Sequence, residues 1–168
     1  MLLTLSLCIC SCTPASRKPD PFLSSAEWQV ETDGICFSIR TNADNSDASI
    51  RFSEPEILKA LEVRIENGSL YAIYDGLETE ITARFLANVY PFYEALTAFR
   101  TDTDTNSVKH ASLGEKDFYA SKDADGNYTH IEVKGKDGTH LVFVIRSVNI
   151  NNDNTTSSGK DPSGSDTP

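Results

Sequence analysis

Residues 61–81 read LEVRIENGSLYAIYDGLETEI, and this stretch decides the fold class. Apolar and charged residues alternate over 61–66 and again over 77–81, which predicts strands with one buried face. Asn67-Gly68 and Asp75-Gly76 separate the runs, and both pairs tolerate the positive φ angles of two-residue hairpin turns. The stretch therefore predicts consecutive antiparallel strands.

The same signals continue on both sides of this stretch. Apolar residues alternate with polar ones in two further runs, and residues 70–74 and 141–145 are apolar on both faces, which predicts central or covered strands. There is little room between the runs for the long crossovers of a parallel sheet, so the strands form a meander. The remaining runs are 35–39 and 50–52, and the remaining turns are Asp33-Gly34, Asp125-Gly126 and Asp137-Gly138.

Two segments break the strand pattern. Ser53 and Glu56 fit a capping box that opens a short helix ending at Leu61. A longer helix is predicted over 88–100, with an apolar stripe that is best buried against the sheet. The predicted fold class is α+β and mostly antiparallel: a curved meander sheet packed on one longer helix and one short helix, within residues 26–150. The stripe consists of Phe92, Leu96 and Phe99 at i, i+4 and i+7.

The start of the chain carries the clearest functional signal. Residues 2–10 form an apolar run too short to span a bilayer, and its place predicts an export signal over 1–11. The run ends in Ile9-Cys10-Ser11-Cys12, which resembles the lipobox of bacterial lipoproteins. The resemblance implies cleavage after Ser11, a diacylglycerol thioether on Cys12, and a location on the extracytoplasmic face of the cell membrane. Cys8 and Cys10 are the alternative attachment points.

The segments flanking the predicted domain have little apolar content. Residues 12–25 hold the lipidated cysteine and three prolines, which predicts a semi-extended tether. Residues 151–168 contain no large apolar side chain, which predicts a disordered tail. The net charge is −10 without a Lys/Arg cluster, so nucleic acid is excluded as a partner.

Residues 50–58 (IRFSEPEIL) through Tyr74-Asp75-Gly76-Leu77 resemble a pattern in secreted lipoproteins of low-GC Gram-positive bacteria. In that pattern an apolar strand meets a proline and a short helix, and two strands ending in Tyr-x-Gly-Leu precede another helix. The resemblance extends to the LolA-like half-barrel, a curved antiparallel sheet around helices. It implies a carrier of acyl chains or other apolar ligands, although a fold does not by itself carry a function.

The sequence contains no recognisable catalytic or metal motif. His110, His130 and His140 lack the spacing of metal ligands and are interpreted as surface strand residues. Residues 123–127 (DADGN) are interpreted as a hairpin turn, since the glycine comes too early for a calcium loop. Cys36 is interpreted as a small strand residue. We therefore predict neither an enzyme nor a cofactor.

Aromatic and aliphatic side chains are the remaining candidates for a site. They predict either a closed core or a ligand cavity between the sheet and the longer helix. The first interpretation predicts a monomeric envelope-associated interaction or structural lipoprotein. The second predicts a lipid-anchored binding or carrier module for a hydrophobic small molecule or a lipoprotein acyl chain. The candidate lining residues are Phe37, Phe52, Tyr74, Phe92, Leu96, Phe99 and Phe143.

Overall fold

The computed structural model describes residues 19–42, 46–100 and 108–151. The predicted export signal, Cys12 and the tail beyond Asn151 lie outside these residues. The described part contains ten strands and one α-helix, α1 (Tyr90–Arg100). The strands are β1 (Ala26–Thr32), β2 (Ile35–Thr41), β3 (Asp47–Glu54), β4 (Leu61–Glu66), β5 (Ser69–Tyr74), β6 (Leu77–Ile81), β7 (Val108–Leu113), β8 (Lys116–Lys122), β9 (Tyr128–Gly135) and β10 (His140–Ile150).

All ten strands form one antiparallel sheet in the order β6-β5-β4-β3-β2-β1-β10-β9-β8-β7. The sheet is curved and does not close, so among the described residues β6 and β7 are its edges. The chain between these two edge strands contains α1, which packs against β7 and β9. This arrangement confirms the predicted α+β half-barrel.

The predicted hairpin turns join neighbouring strands. Asn67 and Gly68 both have positive φ, at 49° and 84°, between β4 and β5. Asp75 and Gly76 repeat the conformation, at 49° and 77°, between β5 and β6. Asn, Asp and Gly adopt this left-handed region at low cost, which is why these pairs predicted the turns correctly.

One face of the sheet, here called the inner face, is covered by α1. Seven of the eleven residues of α1 are buried, including the predicted stripe. The alternate residues of β1, β2 and β3 that point to this face are buried with them, as the two-residue period requires. The longer helix was predicted over 88–100 and begins at Tyr90, a difference within ordinary boundary variation.

The predicted capping box at Ser53 is wrong. Ser53 belongs to β3, and its hydroxyl donates to the backbone oxygen of Cys36 at 3.1 Å. Only a 3-10 turn, Glu56–Leu58, follows Pro55. Pairing with β2 keeps the chain extended as far as Glu54, and a proline disfavours helical backbone at the residue before it.

The tether prediction is wrong for its last residues. Pro21–Leu23 form a 3-10 turn, with Asp20 as its N-cap, and Phe22 is almost completely buried. The ring of Phe22 packs on three other aromatic rings, at centroid distances of 5.1 Å to Trp28, 4.9 Å to Phe99 and 4.6 Å to Tyr128. The ordered domain therefore begins before Ala26, because a single large side chain supplies buried area that the composition of the segment hides.

Three strands differ from their predicted burial. β10 is central, but Val142 and Val144 on its outer face are exposed, so only one face is covered. β5 lies next to the edge strand and buries only Leu70. β6 was predicted to be half-buried, yet its residues up to Glu80 are all exposed. Alternation of apolar and polar residues indicates a strand but not its place in the sheet. An edge strand such as β6 is more exposed than a central one because it has a neighbouring strand on one side only.

Candidate binding surface

Six of the seven candidate cavity residues lie together in the core. Phe92 contacts Phe37 and Phe143 at ring-centroid distances of 6.0 Å and 5.3 Å. Phe92, Phe99 and Phe143 have an exposed fraction of 0%. A ring with no accessible surface has neighbours on every side, so no space for a ligand adjoins it. The two others of the six, Phe52 and Leu96, are also buried.

Tyr74, the seventh candidate, is 56% exposed. It lies on the inner face because it pairs with Leu61 of β4, whose neighbours at i+2 and i+4 are buried. Leu77 of β6 pairs with Tyr74 on its other side and is 77% exposed. The inner face is thus covered under α1 and open near β6.

Exposure rises steadily along one row of the inner face. Phe37 pairs with Phe52, and their exposed fractions are 1% and 7%. The last pair of the β3–β4 ladder is Arg51–Glu62, and the next position in the same register sets Phe52 opposite Leu61. Leu61 is half-buried. The row then continues through Tyr74 to Leu77 at the sheet edge.

The 3-10 turn between β3 and β4 adds Ile57 at the same end of the sheet, with an exposed fraction of 83%. We call Ile57, Leu61, Tyr74 and Leu77 the apolar end. The sequence reasoning found only Tyr74. A signal for Leu77 was present, since a two-residue turn at Asp75-Gly76 places the residues on either side of it opposite each other.

Acidic residues border the apolar end. Glu56 opens the 3-10 turn and Asp75 lies in the β5–β6 turn, and both are exposed. Glu54 ends β3, but its carboxylate lies beside the Cys36 thiol on the outer face. Lys59 is held by the carboxylate of Glu56, which raises the pKa of the lysine through their hydrogen bond. In the described part of the chain, Asp75 has no ion-pair partner.

The outer face of the sheet is charged, and several of its charges are paired across strands. Arg51 bonds Glu62 at 3.1 Å, and Arg64 bonds Glu78 at 2.6 Å. Two further pairs, Arg40–Glu27 and Arg146–Glu31, join β2 and β10 to β1. These four pairs neutralise part of the charge of this face.

The groups weighed for chemistry occupy surface positions. The Cys36 thiol donates to Glu54 at 3.5 Å, and its pKa is raised by partial burial and by that carboxylate, the opposite of what an activated nucleophile needs. His140 contacts Glu132 at 2.6 Å, while His130 pairs with Val144 in the ladder, so the two histidines do not face each other. The described residues contain no group of three potential metal ligands.

Two further features concern other parts of the described chain. An open depression of about 370 Å³ lies at the end of the sheet opposite the apolar end, and its lining includes Arg40, Asp47 and Glu66. Its lining contains none of the seven candidate residues, so it is not the predicted cavity. Among the described residues, no helix has both the length and the apolar character needed to cross a membrane.

No family model and no curated protein matches this chain. Among solved structures it is similar to an uncharacterised conserved protein from Thermus thermophilus, with a TM-score of 0.46 and 8% identity over 79% of this chain and 82% of the other. It is also similar to a LolA superfamily protein from Nitrosomonas europaea, with a TM-score of 0.35 and 7% identity over 76% of this chain and 84% of the other. Similarity at this level assigns neither a family nor a ligand.

Proposed function

We propose that this chain is a lipid-anchored extracytoplasmic binding module that acts through the apolar end and has no catalytic activity. The observation that carries the proposal is the row from Phe37 to Leu77, whose exposure rises from 1% to 77%. Contiguous exposed apolar surface with a polar rim is typical of a binding site. The filled core under α1 supports binding at this surface rather than inside the half-barrel.

The position of the termini supports an outward-facing apolar end. Ala26 and Ile150 pair at the opposite end of the sheet, where Asn151 donates its backbone N–H to Ser25 at 2.9 Å. Pro19 follows Cys12 by seven residues, a reach of roughly 25 Å at full extension. A lipid on Cys12 would hold this end near the membrane and direct the apolar end away from it.

The anchoring step is tested with Cys12→Ala. We expect the variant to lose labelling by an alkyne palmitate analogue and to leave the membrane fraction. A two-chain lipid binds the membrane stably, so its removal should release most of the protein. Cys10→Ala is the matched control and should keep both properties. Unchanged labelling of Cys12→Ala would contradict attachment of the lipid at Cys12.

A second candidate is a carrier of a hydrophobic small molecule or an acyl chain, favoured by the continuity of the row with the buried rings of Phe37 and Phe52. Native mass spectrometry of the domain purified from a bacterial lysate tests it. A co-purified lipid, together with micromolar binding of a fluorescent fatty acid that Tyr74→Ser weakens, would favour the carrier. Absence of both favours the closed-core interaction module.

A further inference from the structure

We propose that the space filled by the side chains of residues 20–24 is a binding site for a small carboxylate that carries an aromatic ring. Residues 20–24, here called the strap, close this site when no ligand is bound. The strap precedes β1, at the end of the sheet where Ala26 pairs with Ile150, opposite the apolar end. The inference therefore concerns a second site and goes beyond the proposed binding function.

The strap is a single 3-10 turn whose hydrogen bonds are internal. Phe22 donates its backbone N–H to the Asp20 carboxylate at 3.0 Å, and Leu23 donates its backbone N–H to the Asp20 backbone oxygen at 3.0 Å. The Ser24 hydroxyl donates to the same backbone oxygen at 3.1 Å. These bonds keep the shape of the turn without joining it to the sheet. The strap can therefore open as a unit, because its release breaks no hydrogen bond between strands.

The strap holds a buried cation. Lys109 points inward from the edge strand β7, and its exposed fraction is 2%. Its ammonium lies 3.3 Å from the Asp20 carboxylate and 5.1 Å from the centre of the Phe22 ring, so both contacts belong to the strap. Lysine is almost never buried to this extent unless it is paired. When the strap opens, the Lys109 ammonium is left without its carboxylate, and a carboxylate from outside can take that place.

The strap also fills a space between aromatic rings. The Phe22 ring stacks on Trp28 of β1 at an interplanar angle of 29° and meets Tyr128 of β9 edge-on at 68°. It lies tilted at 44° to Phe99 of α1. Offset-stacked and edge-to-face contacts are the favoured arrangements of aromatic pairs. A flat ring that replaces Phe22 can therefore make the same contacts.

The ligand class follows from the two groups that the strap supplies, a carboxylate and an aromatic ring. The Lys109 ammonium contacts both, so a ligand needs the two groups joined by a short linker. A second ammonium, that of Lys122, lies 4.6 Å from the centre of the Tyr128 ring. These two cations favour the approach of an anion here, although the chain carries a net charge of −10.

The experiment uses the full chain carrying Cys12→Ser, which prevents acylation, as the parent. The probes are 3-phenylpropionate, the neutral 3-phenylpropanol and the aliphatic octanoate. Calorimetric titration measures affinity, and the fluorescence of Trp28, the single tryptophan, reports opening of the strap. We expect millimolar binding of 3-phenylpropionate by the parent and at least tenfold tighter binding by Phe22→Ala, because the closed strap lowers the apparent affinity. Leu23→Ala, which alters an exposed side chain of the same turn, should bind like the parent.

The carboxylate is the decisive part, because a cavity left by a truncated ring accepts small apolar molecules of any kind. Adding Lys109→Met to Phe22→Ala should weaken binding of 3-phenylpropionate at least tenfold and leave that of 3-phenylpropanol within twofold. Asp20→Asn keeps the Phe22 ring and frees the Lys109 ammonium, so 3-phenylpropionate should raise its melting temperature more than that of the parent. This comparison replaces the first if Phe22→Ala does not fold.

Each contrary result overturns a stated part of the inference. Equal affinity for 3-phenylpropanol and 3-phenylpropionate, or binding that Lys109→Met leaves unchanged, overturns the carboxylate site. Tighter binding of octanoate than of 3-phenylpropionate overturns the aromatic ligand in favour of an aliphatic acid. Absence of binding by the parent at about 10 mM 3-phenylpropionate overturns the strap and makes Phe22 a permanent core residue. Tyr74→Ser with Leu77→Ser, at the apolar end, should change none of these affinities, and a loss of binding there would assign the ligand to the apolar end instead.

Discussion

Replacing Phe22 by alanine tests whether the segment before β1 is part of the core. The ring contacts Trp28, Phe99 and Tyr128 at centroid distances of 4.6–5.1 Å, and the Lys109 ammonium lies 5.1 Å from its centre. Truncation of a fully buried phenylalanine costs about 3–5 kcal/mol, through lost transfer energy and the cavity that remains. At about 3–5 °C per kcal/mol for a domain of this size, the melting temperature should fall by ~10–25 °C.

The assay is thermal and urea unfolding followed by the fluorescence of Trp28, the single tryptophan of the chain, which stacks on Phe22. Leu23→Ala is the matched control, because it alters the same turn at a side chain that is 54% exposed, and it should cost less than about 1 kcal/mol. Equal shifts in the two variants would refute the reasoning and restore residues 21–25 to the tether.

Three further predictions concern the core and the charges around it. Phe99→Ala should lower the free energy of unfolding by about 3–5 kcal/mol in urea titrations, and a loss below about 1 kcal/mol would indicate open space beside α1. Asp20→Asn should lower the free energy of unfolding by about 1–3 kcal/mol, because buried Lys109 loses its carboxylate partner at 3.3 Å. Lys109→Met should leave the free energy of unfolding almost unchanged, and a double-mutant cycle measures the coupling of the two residues. The hydrogen bond from His140 holds the pKa of Glu132 below its usual value. The ionised Glu132 carboxylate therefore stabilises the fold at any pH above its unfolded pKa of about 4.3. This stabilisation is lost as the pH falls through the lower pKa of the folded state. Glu132→Gln should therefore flatten the fall of the urea midpoint below about pH 4.5, and an unchanged slope would contradict this assignment.

The fold was predictable where local chemistry decides conformation. Asn67-Gly68 and Asp75-Gly76 adopt the positive φ angles that their side chains tolerate, and the strands on either side pair across them. The apolar stripe of α1 is buried as its spacing indicates. Ser53 was misassigned because a capping box is a local pattern, and pairing of β3 with β2 overrides it.

The candidate site was predictable only in part, because exposure depends on neighbours that the sequence does not order. Phe37 and Tyr74 belong to the same row and have similar aromatic character, yet one is 1% and the other 56% exposed. Phe37 lies under α1, whereas Tyr74 lies beside an edge strand that covers little of it. No periodicity distinguishes the two positions.

The sequence by itself determined the antiparallel connectivity, the long helix and its buried stripe, since turn chemistry and side-chain period act within a few residues. It also determined the acidic character of residues 54–62 and 74–78. Only the tertiary structure decided that Phe22 completes the core, that the rings under α1 leave no ligand space beside them, and that Ile57, Leu61, Tyr74 and Leu77 lie at the same end of the sheet. These properties depend on which distant segments pack together, as when the Asp20 carboxylate and the Lys109 ammonium, 89 residues apart in the chain, lie 3.3 Å from each other.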